Sequence, residues 1–260
     1  MMNSEKSISR TFSSGTERVN VFVCLAILAA FVLALFLLMS GMQYPWNWRV
    51  TWEYRRLYID GLYYTLAISA GAICLGCLLG LAGGVARVSG NVFAREAARL
   101  YVLFFRGTPL LIQIYIAYFC LAAAVGCDNP VVVGTFTLAA FSGAYITEIV
   151  RAGIQSVDRG QAEAALSTGL TNWQSLLYVI FPQAFRRIIP PVTGQFVSLI
   201  KDSSLLSVIS VRELTKASEV VNATTYRTFE AYLPLAVMYL LLTYPLSHLT
   251  QRLERKLRTN

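Results

Sequence analysis

The side chains that could act on another molecule are few, and all of them sit in or beside apolar stretches. Glu148 lies near the inner end of an apolar run, with Arg151 three residues later, on nearly the same face of a helix. A carboxylate at membrane depth costs about 2.5 kcal/mol or more unless it is paired, protonated or wetted. Two readings follow: Glu148 holds an ammonium group in a translocation cavity, or it forms a structural ion pair with Arg151 or Arg106. Arg151 itself suits either a zwitterion's carboxylate or an interfacial, topology-setting role. Lys201-Asp202, followed by Ser203, Ser204 and Ser207, interrupts a second apolar run. Those charges either neutralise one another or line an aqueous path, which Tyr145 and Gln195 could join. Arg106-Gly107-Thr108-Pro109 divides a third run, where glycine loosens a helix and proline removes a donor, so a break is expected and the freed carbonyls need partners. Arg106 would then snorkel to headgroups or stand as a fixed cation beside the route.

This chemistry is recognition of charge, not bond making. The chain has 1 histidine, His248, placed before a basic tail at an expected membrane interface. Cys74 and Cys77 make a C-x-x-C inside a Gly-rich apolar run, which reads as small-residue packing, and the 5 cysteines form no framework. No catalytic residue and no metal site are expected. A G-x-x-x-x-G-K-[ST] phosphate loop does not occur.

The elements that must position these residues are membrane helices. With 56% hydrophobic and 14% charged residues and a mean hydropathy of +0.55, the 260-residue chain carries more apolar surface than a soluble core of that length would bury. A hydrocarbon core of ~30 Å needs about 20 helical residues. Six blocks approach or meet that length, over 21–39, 62–85, 110–125 with an apolar run before it, 131–150, 188–211 and 231–249, the fifth being the weakest. The first is too long for a signal-peptide core and is followed by aromatics rather than a cleavage site, so it reads as a retained anchor. Fourteen of the 22 basic residues fall in one set of loops, with the two ends of the chain, and six in the opposite set. The positive-inside rule makes the first set cytoplasmic, with both termini inside. The net charge of +8 therefore reads as topology and attraction to membrane lipids, with no nucleic-acid partner. The glycines of the second block, Gly71, Gly76, Gly80, Gly83 and Gly84, favour close packing of neighbouring helices.

One cytoplasmic loop carries the most specific pattern. Glu163-Ala164-Ala165-Leu166-Ser167-Thr168-Gly169 is followed, after a polar helix-forming interval, by Val179-Ile180-Phe181-Pro182. This resembles the EAA loop of binding-protein-dependent ABC importer permeases, with Val179 and Phe181 standing where Ile and Leu are usual. Arg106 to Gln113, Tyr145 to Val157, Phe181-Pro182-Gln183-Ala184 with Arg187, Pro190 and Pro191, and Lys201 to Leu205 extend the resemblance to the polar amino acid permeases of that class, over about four fifths of the chain.

The resemblance implies an all-α integral membrane protein of about six transmembrane helices, an ABC type I importer-like bundle with a cytoplasmic coupling helix. Residues 1–57 would hold an inner tail, the first helix and an outer loop. Residues 58–258 would form the permease core, with the coupling loop at about 158–187. Gln161, Ala162, Glu163, Ala164, Ala165, Leu166 and Gly169 would dock into an ATPase, with Ala162, Ala165 and Leu166 on the docking face and Glu163 near the helix start. The implied partners are a second permease subunit, two ATPase subunits carrying ATP and Mg, and a periplasmic amino-acid-binding protein, all at a bacterial inner membrane. The implied substrate contact is at or near Glu148. A proton-coupled secondary transporter, using Glu148 and Asp202 as proton sites, is the alternative; it leaves the large inner loop unexplained.

Overall fold

The computed structural model describes residues 44–258 continuously, with single positions between 23 and 41. The predicted first span, 21–39, lies largely outside the described residues. The chain divides into two compact units, Met1–Trp46 and Asn47–Asn260. In the first, Tyr44 and Trp46 meet edge to face at 4.9 Å. The helices of the bundle belong to the second unit.

It is helical throughout its described length. A short α1 (Arg49–Glu53) leads into α2 (Arg55–Val88), and Asn91 then caps α3 (Val92–Gly107). After a two-residue interruption come α4 (Leu110–Tyr115) and a π-helical turn, Ile116–Ala122. Asn129 caps α5 (Pro130–Gln155), whose first residue is a proline, where a missing N–H costs nothing. The loop helix α6 (Arg159–Ser167) follows, then α7 (Asn172–Ser175), a π turn (Leu176–Ile180) and α8 (Phe181–Asp202). A 3-10 segment (Ser203–Ile209), α9 (Leu214–Thr225) and α10 (Thr228–Arg258) complete the unit.

Among the described residues, three helices, α2, α5 and most of α10, are long and apolar enough to cross a membrane; α3 and α4 with its π turn add a fourth span if their 107° bend is one broken crossing. The sequence block at 188–211 is not among these helices. It is divided between α8, which carries Arg186, Arg187, Lys201 and Asp202 in its 22 residues, and the 3-10 segment, so no window of sufficient length is apolar enough.

Three apolar clusters hold the unit together. Ile68, Leu110, Ile114, Leu138, Leu199 and Leu206 join α2, α4, α5, α8 and the 3-10 segment. Tyr58, Leu214, Val221 and Ala231 bind α2 to α9 and α10, with the Tyr58 hydroxyl donating to the Ala231 carbonyl at 3.0 Å. Ile146, Val150, Ile154, Ala184 and Ile188 fasten α5 to α8. The closest helix pair is α2 with α5. A Cβ placed on Gly76, Gly80, Gly83 or Gly84 would collide with Ser142, Ile146, Thr147 or Val150 respectively, so backbone approach here depends on glycine.

Candidate functional site

Arg87 of α2, Arg106 of α3, Glu148 and Arg151 of α5 and Arg187 of α8 converge on one end of the bundle. Glu148, on α5, is gripped from two directions. Arg151 reaches its Oε2 from the next turn at 2.7 Å and 3.0 Å, and Arg87, in the last turn of α2, donates to Oε1 at 3.3 Å. The three side chains are 18–29% exposed, dry enough to strengthen the attraction yet open to solvent. Arg151 continues to the Gln155 side chain, and Arg187 of α8 donates to the Ser156 carbonyl, closing the end of α5.

A cavity of about 530 Å³ opens against this cluster, lined by Arg106, Tyr145, Glu148, Arg151, Arg187 and Pro191 among others. Arg106 does not pair with Glu148. Its guanidinium lies over the Tyr145 ring, 4.9 Å from the centroid, a cation–π contact that leaves its donors directed elsewhere. The cavity thus offers three cations and one carboxylate, and that carboxylate is already doubly engaged. Such a wall can bind an anionic group and release an acid to a competing cation.

Of the residues expected to bind a solute, Tyr145, Glu148 and Arg151 come together, and Arg106 joins them from the helix break. Lys201, Asp202 and Ser203 lie at the end of α8 and do not line this cavity; Lys201 is exposed, and the buried Ser203 hydroxyl donates to the Ile200 carbonyl at 2.8 Å. Gln195 is also absent from the lining. Arg87 and Arg187 are not among the residues expected to bind a solute. Arg187 sits inside the Phe181 to Pro191 motif, which was a usable signal; for Arg87 the sequence offers none, because its partner is 61 residues away.

The loop helix differs in two respects from expectation. It starts at Arg159, capped by Asp158, whose carboxylate accepts from the Gly160 N–H at 2.7 Å. Glu163 therefore stands mid-helix, not at its start, because an Asx cap three residues before Gln161 is the stronger initiation signal. Ala165 is buried and Ala162 half-buried against the chain itself, while Gln161, Glu163, Ala164 and Leu166 are exposed. Gly169, at φ +89°, ends the turn in the left-handed conformation glycine allows, and the Leu170 N–H reaches back to the Ala165 carbonyl. Thr171 and Gln174 then form a reciprocal capping box that starts α7.

Solved structures place this architecture in a class. The chain superimposes with a TM-score of 0.76 on a chain of a crystal structure described as an amino acid ABC transporter with histidines, at 36% identity, covering 82% of this chain and 100% of that one. A chain of an inward-facing methionine ABC transporter matches in fold, with a TM-score of 0.69 at 19% identity over 77% of this chain and 96% of that one. The class is the permease subunit of ABC importers. The chain belongs to the family of binding-protein-dependent transport system inner membrane components, whose pattern matches residues 72–259. Its relatives include the glutamine transport system permease protein of Escherichia coli (strain K12), 38% identical over 84% of this chain and 99% of that one. The probable glutamine ABC transporter permease protein of Bacillus subtilis (strain 168) is 39% identical over 77% of this chain and 93% of that one. Membership of this family sets aside the proton-coupled secondary transporter.

Proposed function

We infer that this permease serves the import of a polar amino acid, with glutamine as the first solute to test. The observation that carries the reading is the cavity beside Glu148, where Arg106, Arg151 and Arg187 face one carboxylate. A zwitterion suits that balance. Its carboxylate meets an arginine, and its ammonium competes with Arg87 and Arg151 for Glu148, so entry of solute exchanges one ion pair for another instead of stripping a bare charge of water. The cavity lies near the end of α5 that leads into the loop helix, as release toward the cytoplasm requires.

Two copies of the permease, identical or homologous, form the path, with both termini inside. Each engages one ATPase that carries ATP and Mg, and a periplasmic binding protein delivers the amino acid from outside. The ATPase docks on the exposed face of the loop around α6, where Glu163, Leu166, Trp173 and Tyr178 stand clear of the bundle. Closure of the ATPase pair draws the two loops together and reverses the opening of the cavity.

The test is affinity purification of this subunit in mild detergent, with mass spectrometry of what accompanies it. An ATPase is expected with the wild type and is expected to be lost from Glu163→Lys, whose exposed position leaves the fold intact. A permease that retains its own oligomer yet brings down no ATPase defeats the reading. The purified complex, with its binding protein, is then assayed for glutamine uptake into proteoliposomes.

A further inference from the structure

The break between α3 and α4 is closed by two side chains, Gln113 and Thr108, that the cavity does not contain. Pro109 has no N–H, so the carbonyl four residues back, that of Phe105, loses its helical donor. Gln113 supplies the replacement: its Nε2 donates to the Phe105 carbonyl at 2.9 Å, to the Thr108 carbonyl at 3.0 Å and to the Thr108 hydroxyl at 2.8 Å. That hydroxyl in turn donates to the Phe104 carbonyl at 2.8 Å. On the far side, the Ile112 and Gln113 N–H groups both reach the Pro109 carbonyl and restart the helix. Three carbonyls released by the interruption are therefore satisfied by two side chains.

The amide orientation is fixed by its neighbours, since exchanging its oxygen and nitrogen would aim an acceptor at three oxygens. Gln113 is 5% exposed, and its Oε1 has no partner among the described residues. A buried amide that leaves one end unbonded is held in place by what its other end does. Opening the corner would strip several hydrogen bonds at once in surroundings without water to replace them. A helix interruption built in this way is a stiff elbow.

We propose that Gln113 is a positioning residue for transport: it locks the α3–α4 elbow, which moves as one body and carries Arg106, in the last turn of α3, to its place over Tyr145 at the cavity wall. Phe105, whose carbonyl Gln113 holds, is the immediate neighbour of Arg106, so the corner sets the direction from which the guanidinium enters. Leu and Glu cannot replace this amide. Leucine leaves the carbonyls bare, and a carboxylate opposes them.

The proposal rests on the Arg106 and Glu148 cavity being the solute cavity, and the experiment separates the two. The full importer, with its ATPase and binding protein, is reconstituted in proteoliposomes and glutamine uptake is followed for Gln113→Leu, Thr108→Val, Thr108→Ser, Arg106→Ala and the Gln113→Leu/Arg106→Ala pair. Gln113→Leu and Thr108→Val are each expected to lower the maximal uptake rate about tenfold without changing the half-saturating concentration of loaded binding protein. Thr108→Ser, which keeps the hydroxyl, should transport normally. In the Arg106→Ala background, Gln113→Leu should cost less than about twofold more, because the two residues act through one another. Should Gln113→Leu fail to assemble, Thr108→Val with the same Arg106→Ala background carries the comparison. Independent, multiplying losses, or wild-type uptake by Gln113→Leu and Thr108→Val while Arg106→Ala is impaired, overturn the positioning role. Normal uptake by Arg106→Ala overturns the cavity reading and the proposal with it.

Discussion

Glu148 shows how much an isolated carboxylate in a sequence leaves open. Its neighbour at i+3 was visible, and the pair with Arg151 forms at 2.7 Å, but the second clamp, Arg87, arrives from another helix. The result is an acid clamped from its own helix and from α2, with part of its side chain still open to solvent. Glu213 is the contrasting case. It is fully buried at the start of α9, where its carboxylate accepts from the Thr215 and Lys216 N–H groups at 2.7 Å and from the Tyr239 hydroxyl at 3.1 Å. No cation offsets the lost hydration, and burial pushes its pKa up from 4.5 to about 7 against the opposing pull of those donors. The folded chain thus holds this proton more tightly than the unfolded chain. The group's contribution to stability is complete below about pH 4.5, falls as pH rises toward about 7, and levels off above. Thermal unfolding of the detergent-solubilised subunit should therefore show a decline between pH 5 and pH 8 that Glu213→Gln flattens. An unchanged slope in that variant would assign the decline to other groups.

At the scale of elements, the seam between α2 and α5 is the least tolerant part of the bundle. Gly76, Gly80 and Gly84 recur every four residues and bring one face of α2 against Ser142, Ile146 and Val150. Gly80→Leu would force Ile146 and the Gly143 carbonyl aside, and overpacking of this kind costs about 1–3 kcal/mol or more. The expected outcome is a lower melting temperature and reduced yield of assembled complex, whereas Gly90→Leu, where an added Cβ meets nothing, should melt like the wild type. The spacing of these glycines was readable in advance; the residues they admit were not. The loop helix teaches a related lesson. Small residues on its sequence suggested a docking face, yet Ala165 is turned inward and Leu166 outward, because the face of a nine-residue helix is chosen by what lies beneath it. α8 extends it: Pro190 and Pro191 lie within a continuous helix, so neither proline ends the element.

For the whole molecule, the asymmetry of basic residues predicts that the α6 loop and both termini face the cytoplasm and the stretch around α9 the outside. Alkaline phosphatase fused after Arg258 should be inactive and a fluorescent protein there should fluoresce, while phosphatase inserted near Tyr226 should be active; the reverse pattern would invert the topology. The membrane class and the loop pattern are properties of residue type and order, which depend on how each residue partitions between water and lipid. They were legible because hydropathy, charge bias and short motifs are local sums. The family follows from the same linear information, carried by residues 72–259. What the linear order did not contain is which distant groups meet. The grip of Arg87 on Glu148, the stacking of Arg106 on Tyr145, the removal of Lys201 and Asp202 from the cavity and the stiffening of the elbow by Gln113 all depend on helices packing at fixed rotations. Those rotations are set by glycine seams and buried apolar clusters acting together, so the site exists only once the tertiary structure has formed.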